Sequence, residues 1–195
     1  MANKDAAFGF RPIGKVGQNK DNQGLSEYNI AANSSAIYQN DTVQFLATGY
    51  VGVADTSAAV LLGSLNGVFY TDTADQKPRW ANHLAASNAA TDIVGFVSDD
   101  PYERFEVQAD GTLAIADIGR NTDIVYAAGA SPNFVSKVEI DSNTANVTTA
   151  SKQFRILGVA KDIENSELSN VTTYAANVNV VGIINEHFLK STTGI

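Results

Sequence analysis

Cysteine is absent from this chain of 195 residues, and that one absence removes a disulfide framework, a zinc–thiolate centre and thiol catalysis together. Histidine is almost as scarce, with His83 and His187 the only two. Charged residues make up 17% of the chain, too few to coat long helices, whose solvent faces draw on Glu, Lys and Arg. No apolar run approaches the ~18 residues that a membrane-spanning helix needs, so no membrane partner is expected. Met1-Ala2-Asn3-Lys4-Asp5 has no apolar segment behind its positive charge, and synthesis in a cytosol without export is the expectation.

What the chain does have is apolar material, 44% of its residues, which is ample for a core. Its polar surface comes from Asn, Ser, Thr and Gln, interleaved with Val, Ile and Gly, a mixture that favours strands over helices. The length suits one domain, or one core carrying an extension. Net charge is −8 and unevenly spread. Residues 1–20 hold Lys4, Arg11, Lys15 and Lys20 against Asp5 alone, a balance of +3 that leaves −11 for the remainder. An acidic body repels a phosphate backbone, so no nucleic-acid partner is expected.

Residues 1–24 read as an N-terminal arm, with Gly9, Gly14, Gly17, Gly24 and Pro12 among polar residues. Phe8, Phe10 and Ile13 interrupt that polarity, and such rings are stabilising only if buried, against the body or against a partner. Residues 25–195 read as a β-rich body of short runs separated by turn clusters, Asn66-Gly67 being the strongest local turn signal. Long loops are expected at about 72–92 and 127–133. The first holds Pro78-Arg79-Trp80, a residue mix enriched at interface hot spots. From Tyr102 to Ala109 the alternation is regular: Tyr102, Arg104, Glu106 and Gln108 share one face, while Phe105, Val107 and Ala109 share the other. Thr112–Ile118, Phe134–Ile140, Phe154–Ala160 and Val178–Phe188 read as further strands. The expected fold class is all-β, a Greek-key-like β-barrel or sandwich with an extended N-terminal arm.

Reactive constellations are missing. The sequence contains no G-x-S-x-G, no H-E-x-x-H and no phosphate-cradling glycine motif. Asp99, Asp100 and Glu103 are hard oxygen ligands that suit calcium, yet their spacing matches no EF-hand, and Asp99-Asp100-Pro101 reads more simply as a turn. No catalytic residue, metal or cofactor is expected.

The order of several motifs is similar to that of head-decoration, or cement, proteins of tailed bacteriophages. The segments that carry the resemblance are Ala7-Phe8-Gly9-Phe10-Arg11-Pro12, Ile93-Val94-Gly95-Phe96-Val97 leading into Asp99-Asp100-Pro101-Tyr102, Phe105-Glu106-Val107-Gln108-Ala109-Asp110, Ile118-Gly119, Phe154-Arg155-Ile156-Leu157-Gly158 and Ile183-Ile184-Asn185-Glu186-His187. The resemblance implies a non-enzymatic virion protein on the capsid exterior that bridges neighbouring major capsid proteins, as a homo-oligomer with a trimer ahead of a dimer. Phe8, Phe10, Arg11 and Pro12 of the arm, with Pro78, Arg79 and Trp80, are the expected partner-binding residues. A tail-associated or carbohydrate-binding β-module is the alternative, and a glycan-acting enzyme the second alternative, which would need two facing carboxylates.

Overall fold

A computed structural model describes residues 3–17, 24–145, 148–161 and 172–191. Its elements are almost all antiparallel strands. In one five-stranded sheet β1 (Arg11–Lys15) lies at an edge, followed by β8 (Glu103–Gln108), β13 (Asn179–Ile184), β12 (Phe154–Val159) and the short β9 (Asn121–Thr122). A six-stranded sheet runs β2 (Ser26–Asn29), β7 (Val94–Ser98), β5 (Gly63–Thr71), β3 (Thr42–Phe45) and β4 (Val51–Val53), with β6 (Pro78–Ala81) also paired to β5. A two-stranded ribbon joins β10 (Ile124–Val125) to β11 (Glu139–Ile140). The all-β expectation holds as an open sandwich; neither sheet closes on itself, so the barrel alternative is set aside.

Period-two alternation places the core. Phe105 and Val107 of β8, Phe154 and Ile156 of β12, and Val180 and Ile184 of β13 turn inward and are buried together with Phe10, Leu61 and Leu113. A second cluster lies against the six-stranded sheet, with Ile30, Ile37, Val43, Leu62, Leu65, Val68, Leu84, Ile93 and Val97. The two clusters adjoin at Leu61-Leu62, one residue facing each. Leu61 is clamped there by its own N–H on Glu186 O and by Phe188 N–H on its carbonyl.

The described part of the expected arm is a structural member of the body. Asn3 donates to the Ala176 carbonyl at 3.0 Å, and Gln108 bonds the backbone of both Lys4 and Ala6. This is why Gln108, read as a solvent-facing residue, is buried. Phe10 is fully buried, its ring 5.1 Å from Phe154 and 5.8 Å from Phe105. The peptide groups on either side of that ring are held from the other sheet: Phe10 N–H donates to Asn40 O, and Ser64 Oγ donates to Phe10 O at 2.7 Å. Gly9 has φ +73, and a Cβ there would lie 2.4 Å from Asn40 O and from Ser136 Cβ, so only glycine fits. The expectation that Phe10 docks on a partner is therefore corrected, because its ring is spent inside its own core.

Other local readings change as well. Asn66-Gly67 makes no turn; it is a bulge inside β5, where the register against β7 shifts between Leu65 and Gly67. The second strand of that neighbourhood covers the glycine, since a Cβ on Gly67 would meet the Trp80 ring at 2.9 Å. Within 72–92 the expected loop contains β6, and within Thr112–Ile118 the chain takes a 3₁₀ turn at Ile115–Asp117, closed by Asp117 accepting the Ala114 N–H. Of Phe134–Ile140 only the last two residues form a strand, because Phe134 sits at φ +53, outside β geometry. The 127–133 loop carries a cis Ser131–Pro132 bond.

Phe10→Ala should lower unfolding free energy by about 3–5 kcal/mol, the range for removing a buried aromatic ring. Phe8→Ala, at a half-buried site lying under the Arg11 guanidinium, should cost well under half of that. Equilibrium urea denaturation of both variants checks the order; equal losses would mean that Phe10 is no anchor.

Candidate interaction surface

An antiparallel sheet with one face on the core ordinarily turns a polar face to water. The six-stranded sheet does not. Its register sets Phe69 of β5 opposite both Trp80 of β6 and Val94 of β7, so all three project from one face, the one opposite buried Val68 and Val97. Phe96, two residues beyond Val94, joins them with its ring 4.7 Å from that of Trp80. Trp80 is 56% exposed and Phe69 40%. Glu27, opposite Phe96 on β2, adds a charge at the margin.

The strand that presents Trp80 is braced by charge. Arg79 Nε lies 2.7 Å from Asp72 and its terminal nitrogen 3.0 Å from Asp75, while Asp72 and Asp75 also accept backbone N–H groups of Ala74 and Lys77. Arg79 is thus tied within its own hairpin. Pro78 begins the strand, opposite Thr71, where a missing N–H is tolerated at a sheet edge.

The seven residues expected to bind a partner do not form one site. Pro78, Arg79 and Trp80 belong to the six-stranded sheet, whereas Arg11 and Pro12 sit on β1 of the other. Arg11 is paired with Glu106 at 2.7 Å and lies over the Phe8 ring. Sequence reasoning named Trp80 but missed Phe69, Val94 and Phe96. The available signal was the alternation in Gly67-Val68-Phe69 and in Val94-Gly95-Phe96-Val97, with one apolar residue on each face.

The titratable groups singled out by sequence are engaged separately. Asp99 accepts the Tyr28 hydroxyl at 2.6 Å, and Asp100 accepts the Tyr102 N–H and pairs with Lys15 at 2.6 Å. Glu103 is buried, accepts the Gly14 N–H and has its pKa raised by that burial. Among the described residues no group of three or more His, Asp or Glu is placed to hold a metal ion. His83 is stacked between Tyr38 and Phe134, 4.0 Å from the latter ring. His187 is buried, its Nδ1 accepting the Leu189 N–H.

No family model, curated protein or solved structure matches this chain. The surface must be interpreted from its own chemistry.

Two buried groups set a pH signature. Burial pushes the Asp41 carboxyl up to about 6 from 3.8, so the folded state keeps a proton that the unfolded chain loses, and this contribution to stability fades as pH rises from about 4 to about 6. Burial, reinforced by the Lys190 ammonium, pushes His187 down to about 4 from 6.5. Its contribution is complete above pH 6.5 and fades as pH falls toward 4. The two slopes oppose each other, each bounded by about 1.4 kcal/mol per pH unit. Relative to the parent, Asp41→Asn should make stability climb more steeply between pH 4 and 6, and His187→Gln should tilt it the other way; urea midpoints across that range check both signs.

Proposed function

We propose that this chain is a virion structural protein that decorates the outside of a tailed-bacteriophage capsid and bridges neighbouring major capsid proteins, acting as a homo-oligomer, a trimer before a dimer. The observation that carries the proposal is the aromatic solvent face of the six-stranded sheet. Burying Trp80, Phe69 and Phe96 against a shell subunit supplies non-directional affinity over a rigid surface. Glu27, opposite Phe96 at the margin of the face, belongs to the polar rim that excludes water around such a patch. The similarity of motif order to decoration proteins points the same way. In this reading Arg11 and Pro12, on β1 of the other sheet, and Phe8 under the Arg11 guanidinium contribute to folding and not to this contact.

A carbohydrate-binding module is the second reading, favoured by the same exposed rings, because aromatic faces stack on sugars. The Trp80 and Phe96 rings are tilted by 50° and offer no flat two-ring platform, so the protein-docking reading stands first.

Trp80→Ala combined with Phe69→Ala should weaken decoration of undecorated capsids by a hundredfold or more, at ~2 kcal/mol or above for each central aromatic anchor, while leaving the thermal unfolding transition nearly unchanged. Co-sedimentation with capsids, with the parent and the double variant side by side, measures it. Decoration at parental affinity would remove this face from the contact. Loss of binding to a glycan array by the same variant, with no capsid binding by the parent, would establish the carbohydrate reading instead.

A further inference from the structure

The solvent face of the five-stranded sheet has the opposite character. Ile183 of β13 is registered between Arg104 of β8 and Arg155 of β12, so the three side chains form one cross-strand row. Two strand spacings separate the arginine backbones, about 10 Å. On an acidic chain of net charge −8, such a row is expected to be neutralised by local carboxylates. It is not.

Arg155 is held by neutral acceptors: its Nε donates to Asn121 Oδ1 at 3.0 Å and its terminal nitrogen to Asn185 Oδ1 at 2.7 Å. Asn185 is itself fixed by the carbonyls of Ala150 and Lys152. Arg104 has a buried Nε with no hydrogen-bond partner. Lys190 donates to the Ile184 carbonyl and lies over the Tyr102 ring. Glu106, the carboxylate in the adjacent row, is already occupied by Arg11 and reached by Asn179. Arg155 and Lys190 are therefore oriented by amides, a carbonyl and a ring, which fix their geometry and leave their charge available, while Arg104 stands beside them with its Nε unpartnered. Pre-orientation of this kind lowers the ordering cost of binding.

We infer that the Arg104–Ile183–Arg155 face is a docking site for an extended, carboxylate-rich segment of a partner protein. Arginine forks suit bidentate capture of carboxylates, and Ile183, with exposed Leu157 beside the row, accepts the apolar residues of the same segment. A nucleic acid satisfies the arginines less well, because its charge continues past a row only two arginines long onto an acidic body. The inference is independent of the capsid reading, which concerns the other sheet.

The test is fluorescence anisotropy with a labelled octapeptide of alternating Glu and Val, at low and at high ionic strength, on the full chain. Saturable binding that weakens by roughly tenfold or more in Arg104→Gln, again in Arg155→Gln, and with added salt is the expected result. Arg79→Gln, on the six-stranded sheet, should bind as the parent does. Arg155→Gln removes hydrogen bonds, so its thermal transition is recorded alongside; Arg104→Gln breaks none of the hydrogen bonds described and decides the matter if the other variant fails to fold. Absence of saturable binding, equal binding by Arg104→Gln, or tighter binding of a duplex oligonucleotide than of the peptide overturns the inference.

Discussion

The seating of Phe10 between the sheets is the constraint on which the rest of the structure depends. Its ring completes the cluster under β8 and β12, while its peptide groups are bonded to Asn40 and Ser64 on the side of the six-stranded sheet. One residue thus joins two layers that also meet at Leu61-Leu62 and His187-Phe188. Gly9 permits the approach, since any side chain there would strike the Asn40 carbonyl. Once Phe10 is placed, β1 has no choice of register on β8, and Lys15 is delivered to Asp100.

With the layers fixed, the two solvent faces are free to differ, and they do. The six-stranded sheet exposes rings, and the five-stranded sheet exposes cations around an aliphatic centre. Neither pattern serves the core, because both are generated by residues whose strand neighbours already fill it: Val68 beside Phe69, Phe154 and Ile156 beside Arg155. Apolar and charged residues on the outer side of strands carry an exposure cost or a solvation role that folding does not require. A partner burying these residues, as proposed for each face, would remove that cost.

Much of this was legible in the sequence. The alternation through Phe105 and Val107 gave both the strand and its buried face, and the scarcity of helix formers gave the class. The turn at Asp99-Asp100-Pro101 followed from side-chain chemistry alone, with Asp100 accepting the Tyr102 N–H. What escaped was non-local. Phe10 looks the same on a docking arm and on an edge strand, and only the partners Phe105 and Phe154, about a hundred residues or more away, decide which it is. Asn66-Gly67 failed as a turn for a related reason: the Trp80 ring claims the space above Gly67, a tertiary requirement that overrides local turn preference. The arginine row was invisible because it needs the register of three strands drawn from distant parts of the chain.

The same architecture orders events in time. Arg11 is bonded to Glu106 across 95 residues, and Asn3 reaches Ala176 across 173. During synthesis β1 has no partner until β8 has followed it, and the Phe10 ring has no finished pocket until β12 has been made as well. Until β8 is made the chain carries an unpaired edge strand, with Phe8 and Phe10 just ahead of it. Sheets closed by such distant pairs form slowly, and unpaired edges associate with one another while they wait.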